Sequence, residues 1–323
     1  MSSHINAPLL DVRNLRVEFP TRTGTLVPVD DVSFSLSAGE VLGVVGESGA
    51  GKSMMGGAII GLLEPPGHIA GGEILLEGKR IDNLSRAALT RIRGRKIGLV
   101  SQDPLTSLNP LFTVGQQLVQ TIRTHRNISD KVARSRAIEL LTEVGIPAPE
   151  RRIDQYPHQF SGGMRQRVVI ALALCADPKL VIADEPTTAL DVSIQGQIID
   201  LLKRMCRDYG AAIILITHDM GVIAEAADRV GVMYAGRLVE IGSVRNVISS
   251  PAHPYTRGLM ASIPVIGHKH ERLIQIAGAM PRLTDIPTGC AFHPRCPKTF
   301  DRCSRERPEL VPADGSQAAC LLY

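Results

Sequence analysis

Gly46-Glu47-Ser48-Gly49-Ala50-Gly51-Lys52-Ser53 has the residue types and spacing to grip a phosphate. Glycines let backbone N–H groups converge on an anion with no Cβ in the way. The apolar run Val41-Leu42-Gly43-Val44-Val45 before it reads as a buried strand, and Met54 to Leu63 after it as a helix. A strand, a Gly-rich turn, Lys-Ser and a helix form the setting a phosphate loop requires. The helix N-terminus adds partial positive charge at the same place. Lys52 would reach the β- and γ-phosphates, the Ser53 hydroxyl would hold Mg²⁺, and Met54 completes the set expected to contact the nucleotide.

Further along, Leu180 to Ala183 is an apolar strand ending in Asp184-Glu185. Asp184 suits Mg²⁺ coordination through water, and Glu185 suits the activation of an attacking water. The competing reading is a pair of acids capping the turn Pro186-Thr187-Thr188. Ile97 to Val100 is another core strand, which delivers Gln102, and Ala211 to Ile216 delivers His218. Polar groups at the C-terminal ends of core strands are where nucleotide sites gather. With Ser53 and Asp184, Gln102 completes the expected Mg²⁺ set. Ser161-Gly162-Gly163 opens an apolar helix and makes a second anion-binding helix end. Phe19 is placed either to stack on an adenine ring or to serve as an ordinary strand aromatic. Cys290, Cys296, Cys303 and Cys320 cluster in a Pro-rich tail. Four thiolates suit Zn²⁺ or an iron–sulfur cluster, with plain reduced thiols as the alternative. Cys175 and Cys206 fall on predicted helices and read as core residues.

The elements that must position these groups follow from pattern. Leu10 to Phe19 and Val29 to Leu36 read as strands with a turn at residues 21–25, and Glu73 to Leu76 as a short third strand after a break at Gly71-Gly72. They predict a small antiparallel sheet beside the α/β core. From Leu105 to Gln159 the pattern is helical. There Ser129 is expected to cap a helix over residues 130–144 that buries Val132, Ala137, Leu140, Leu141 and Val144, with Gly145 ending it. A helix from Ser193 to Tyr209 and strands at 229–233 and 237–241 complete the core.

Composition bounds the class. The chain has 323 residues, 44% of them hydrophobic and only 3% aromatic, so its core must be aliphatic. Lys and Arg number 36 against 32 Asp and Glu, too even a balance to argue for nucleic acid. The basic run Arg86, Arg91, Arg93, Arg95 and Lys96 reads as a solvated helix face. No apolar run approaches the ~20 residues that span a bilayer, and the first residues show no signal region. A soluble, cytoplasmic chain whose membrane role comes through partners is therefore expected. Thiols in such a chain stay reduced or bind metal.

The phosphate loop, Gln102, Phe160-Ser161-Gly162-Gly163-Met164, Asp184-Glu185, Ala189-Leu190-Asp191 and His218 stand in the order and spacing of ABC-transporter ATP-binding subunits, which residues 9–245 resemble. Phe160 and Met164 depart from the usual Leu-Ser-Gly-Gly-Gln signature, while Ser161 and both glycines are kept. The stretches Pro251 to Leu259, Ser262-Ile263-Pro264 and Cys290 to Pro297 resemble the C-terminal extension of ATPase subunits in di- and oligopeptide importers, some features of which nickel importers share.

The resemblance implies a P-loop NTPase (RecA-like) α/β core with an antiparallel β subdomain, a helical insert at about 104–165 and an irregular extension. The ATP-binding domain would span 1–240 and the extension 241–323. It also implies hydrolysis of ATP with Mg²⁺, with Glu185, His218 and Lys52 catalytic, Phe19 at the adenine, and Ser161, Gly162 and Gly163 serving a partner's nucleotide. The implied partners are two transmembrane permease subunits, a second ATP-binding subunit, expected to be a paralogue, and an extracytoplasmic solute-binding protein. The place is the cytoplasmic face of the cell membrane, and no nucleic acid is bound. Some similar subunits carry a [4Fe–4S] cluster at such cysteines. The alternatives are import of nickel or another small solute, an ABC ATPase acting on nucleic acid, and a non-enzymatic metal-binding module. The second expects a long heptad insertion, which is not seen here.

Overall fold

In the computed structural model, which describes residues 7–188, 190–262 and 275–323, strands and helices alternate along most of the chain. In order they are β1 (Leu10–Thr21), β2 (Gly24–Leu36), β3 (Val41–Val45), α1 (Lys52–Ile60), β4 (His68–Leu76), β5 (Lys79–Arg80), α2 (Arg86–Ile92), β6 (Ile97–Val100) and α3 (Pro104–Ser107). Then come α4 (Val114–His125), α5 (Asp130–Glu143), α6 (Pro149–Arg152), α7 (Gly162–Leu174), β7 (Leu180–Asp184), α8 (Val192–Asp208), β8 (Ala212–Ile216) and α9 (Met220–Ala226). The last are β9 (Arg229–Tyr234), β10 (Arg237–Ser243), α10 (Val244–Ser249), α11 (Pro254–Ala261), β11 (Leu310–Ala313) and β12 (Ser316–Ala319). Two units interleave along the sequence. One takes Leu36–Val41 and Asn83–Ile216 with residues 7–9; the other takes Leu10–Ser35, Leu42–Asp82 and Thr217–Tyr323.

The first unit holds three parallel strands, β8, β7 and β6, in that order. All five β8 residues are buried, as is every β7 residue before Asp184, the near-continuous apolar run of strands covered on both faces. Gly98 lets β6 pack closely, since a Cβ there would stand 2.4 Å from the Ala173 carbonyl oxygen. Helix α7 buries Val168, Val169, Ile170, Ala171 and Leu174. The helical region is α3 to α6. Ser129 caps α5 by accepting from the Val132 N–H, and Gly145 follows at φ +74°. Val132 itself is 54% exposed, contrary to expectation, and Ala133 takes the buried position. Val132 is the third residue of the helix, and the inward face begins one position later.

The second unit holds two sheets. One runs β2-β1-β4-β5, the expected small antiparallel sheet. Gly71-Gly72, read from sequence as a break, lies inside β4. The register against β1 shifts there, and Gly72, at φ +83°, sits so near the Arg13 and Asn14 carbonyl oxygens that a Cβ would stand 2.4 Å from each. The glycines permit a bulge rather than end a strand. The other sheet of this unit runs β11-β12-β10-β9-β3, antiparallel except for the β9–β3 pair. The tail is thus irregular from Gln275 to Glu309 apart from two short 3-10 turns, and then ends in a hairpin that extends this sheet through β10.

Candidate phosphate-binding site

The phosphate loop joins β3 to α1 within the second unit. Gly46 has φ +154° and a Cβ there would stand 2.2 Å from the Met233 carbonyl oxygen; Gly51 has φ +99° and a Cβ would stand 2.1 Å from that of Pro28. Both positions therefore exclude any side chain. The Ala50 N–H donates to the Glu47 carbonyl (3.1 Å), which closes the turn. Gly51, in left-handed conformation, is the N-cap of α1 and supplies no side-chain cap of its own. Lys52 is buried, with Nζ donating to the Gly46 carbonyl (2.8 Å) and the Glu47 carbonyl (3.1 Å). Ser53 beside it is exposed, as is Met54. A buried ammonium on the loop carbonyls thus stands at the N-terminal end of α1, a setting that suits an anion.

Two more predicted residues lie in the same unit. The Thr217 N–H donates to the Val44 carbonyl (3.1 Å), so His218 follows beside the strand that feeds the loop. The Phe19 ring lies on Gly67, where a Cβ would stand 2.3 Å from its Cζ.

In the first unit, Gln102 and Glu185 come together: Gln102 Nε2 donates to Glu185 Oε2 at 3.3 Å. Thr188 Oγ1 donates to the same oxygen at 2.9 Å. Glu185 is left-handed at φ +45°, and its N–H donates to the Ile216 carbonyl (2.8 Å), which pins the carboxylate at the end of β7 next to Asp184. Thr188 is a partner that sequence reasoning missed; the signal was its place three residues after Glu185. Ser161 is the N-cap of α7, accepting from the Met164 N–H (3.4 Å), and Gly162 and Gly163 form the first turn. A Cβ on Gly163 would stand 3.1 Å from the Ile194 side chain. Phe160 is buried, with the Arg152 guanidinium 6.0 Å from its ring centre. The aromatic ring in the signature is therefore a packing residue, and the helix end behind it is intact. Of Ala189-Leu190-Asp191, Ala189 lies outside the described residues, as do Ile263 and Pro264.

Sequence reasoning missed the partners of Glu47 as well. Its N–H donates to Tyr255 Oη (3.0 Å), and its carboxylate accepts from Arg295 Nη1 at 3.1 and 3.2 Å. Both partners lie in stretches the sequence singled out, Pro251 to Leu259 and Cys290 to Pro297. A pairing more than 200 positions distant leaves no periodic trace.

Cys175 and Cys206 are buried, and burial pushes both thiols up to about 12. Cys290, Cys296, Cys303 and Cys320 line one small cavity with His253, Phe292 and His293. Burial, and then the other three thiols, push Cys290 up to about 11. Among the described residues no three His, Cys, Asp or Glu side chains are placed to hold a metal ion, these four included. Among the described residues, too, no helix is long and apolar enough to cross a membrane.

Known proteins match this architecture. Residues 29–188 match the ABC transporter family, and residues 239–303 match the oligopeptide/dipeptide transporter C-terminal region. The oligopeptide transport ATP-binding protein AppD of Bacillus subtilis (strain 168) is 46% identical over 98% of this chain and 97% of its own. The dipeptide transport ATP-binding protein DppD of Escherichia coli (strain K12) is 45% identical over 97% and 96%. Among solved structures, the post-hydrolysis dimer of the ATP-binding cassette MJ0796 bound to ADP and Pi superimposes with a TM-score of 0.66 at 29% identity, covering 73% of this chain and 99% of that one.

Proposed function

The chain belongs to the ABC transporter ATP-binding family, in the oligopeptide/dipeptide branch, and from that premise we propose that it hydrolyses ATP to drive uptake of di- or oligopeptides through a membrane importer. The phosphate loop carries the reading. Two glycines that admit no side chain and a buried lysine folded over the loop carbonyls form a triphosphate cradle. The peptide branch rests on the near full-length likeness to oligopeptide and dipeptide transport proteins and on the tail. Nickel import, and action on nucleic acid, find no such support.

The proposed chemistry is in-line displacement. Water attacks the γ-phosphorus, the bond from it to the β,γ-bridging oxygen breaks, and ADP leaves with that oxygen. Glu185 takes the proton from the water, oriented by its hydrogen bonds from Gln102 and Thr188. Lys52 binds the β- and γ-phosphates, His218 faces the γ-phosphate, and Phe19 stacks on the adenine. Ser53, Asp184 and Gln102 would hold Mg²⁺, which would supply positive charge against that developing on the phosphates. The helix end at Ser161, Gly162 and Gly163 would serve the nucleotide of a second ATP-binding subunit, a paralogue of this chain. ATP binds the closed pair better than the open pair and so shifts the population, and hydrolysis removes that difference.

Leu105, Leu111 and Phe112 in the helical region are large apolar side chains left exposed. They fit docking to two permease subunits at the cytoplasmic face of the membrane, with an extracytoplasmic binding protein choosing the solute. A [4Fe–4S] cluster with Cys290, Cys296, Cys303 and Cys320 as ligands rests on the chemistry of four thiols lining one cavity alone, since no three of them are placed to hold a metal ion in this structure. Iron and sulfide analysis of anaerobically purified protein tests this, and protein free of both would refute it.

The test of the function is ATP turnover of the full complex in vesicles. Peptides are expected to stimulate it, and Glu185→Gln to lower it by about 10²–10⁴-fold. Turnover indifferent to peptide would reject the importer reading, and an unchanged rate in Glu185→Gln would reject the general base.

A further inference from the structure

The tail grips the phosphate loop at one residue. Glu47 is the second residue of the loop, and three groups hold it. Tyr255 Oη, on α11, accepts its N–H (3.0 Å), Lys52 Nζ donates to its carbonyl (3.1 Å), and Arg295 donates to both oxygens of its carboxylate (3.1 and 3.2 Å). Arg295 is itself tightly seated, its side chain 8% exposed. Its guanidinium also donates to Tyr234 Oη (3.3 Å) and to the carbonyls of Ala277 (2.9 Å), Gly278 (3.3 Å) and Ile276 (3.4 Å). It stands 5.8 Å from the Tyr234 ring centre and 5.9 Å from that of Phe292. Tyr234, Tyr255 and Phe292 pack on one another at 4.7 to 5.4 Å between ring centres and are all buried.

A carboxylate on a phosphate-binding loop is an electrostatic liability. Unpaired, it would repel the ligand that the loop amides and Lys52 attract. A planar guanidinium with carbonyls on its other edges cannot swing away, so the pairing is fixed rather than transient. The arginine side chain is 8% exposed and that of Glu47 30%, so solvent screens this pair only in part.

We propose that Arg295 is a positioning residue of the ATP site: it neutralises and holds Glu47, and thereby sets the affinity of the phosphate loop for a triphosphate. The tail is then a working part of the nucleotide site. The inference rests on the ATP reading above.

A charge-cancellation cycle on the full-length chain tests it, with Mg-AMP-PNP binding read by calorimetry and ATP turnover read alongside. Arg295→Met keeps the apolar stem and is expected to raise Kd about tenfold, with KM rising in step and kcat within about threefold of wild type. Adding Glu47→Gln to Arg295→Met removes the repulsion and is expected to return Kd to within about threefold of wild type. Glu47→Gln alone is expected to tighten binding a few-fold, since Arg295 then adds an uncancelled positive charge; this arm stands even if Arg295→Met fails to fold. Arg302→Ala breaks an exposed ion pair with Glu306 elsewhere in the tail and is expected to change nothing. Wild-type affinity in Arg295→Met, no recovery in the double variant, or weaker binding in Glu47→Gln would each overturn the proposal. A wild-type chain that binds no nucleotide would instead overturn the ATP reading.

Discussion

Gly51 shows how far single residues determine this site. Its φ of +99° disfavours any L side chain, and a Cβ would overlap the Pro28 carbonyl oxygen at 2.1 Å. The loop and the β2 backbone must then part. Gly51→Ala is therefore expected to weaken ATP binding by more than about tenfold and to lower the thermal midpoint, both read on the purified chain. Gly49, also at positive φ but with nothing within 4 Å of its Cβ position, has a conformational cost alone and is the milder site. Glu185 combines left-handed backbone with a carboxylate fixed by Gln102 and Thr188, so its aim comes from β7 and its hold from side chains.

Among the elements, α4 carries the clearest local signature. Thr113 Oγ1 accepts the Gln116 N–H (3.2 Å), while the Gln116 side chain accepts the Thr113 N–H (2.8 Å), a reciprocal capping box. Thr113→Ala is expected to cost about 1 kcal/mol, a shift of about 2 °C in the thermal midpoint, with nucleotide affinity unchanged by calorimetry. The cap belongs to the helical region alone and touches no predicted nucleotide residue. Helix α7 is the opposite case. It is apolar nearly all round and buried, so packing rather than amphipathic pattern sustains it, and Ser161 sets where it starts.

For the whole molecule, the thiols make a map of burial. Cys175 and Cys206 sit in the aliphatic core with their pKa pushed up to about 12, so at pH 8 the reactive thiolate is rarer than in a free cysteine by roughly three orders of magnitude. Alkylation of the native protein, mapped by mass spectrometry, is expected to spare both until denaturant is added. Cys296 and Cys320, only half-buried, are expected to react first when no metal is bound. Labelling of Cys206 at the rate of Cys296 would mean that α8 opens far more readily than its burial allows.

Much of this was legible in residue order. The phosphate loop, the strand ends carrying Asp184-Glu185 and Gln102, the cap at Ser161 and the aliphatic character of the core all follow from short-range rules. Glycines, caps and apolar runs act on the chain within a few positions. Other features lay beyond those rules. Gly71-Gly72 could mean either a break or a bulge, and only pairing with β1 decided it. Val132 differs from Ala133 by one position on a helix, which local pattern does not resolve. The hold of Arg295 and Tyr255 on Glu47, and the hairpin that joins the tail to β10, bring together groups more than 70 positions apart in sequence. Such contacts form because the folded backbone closes those distances and burial rewards them, and no local preference encodes the distance.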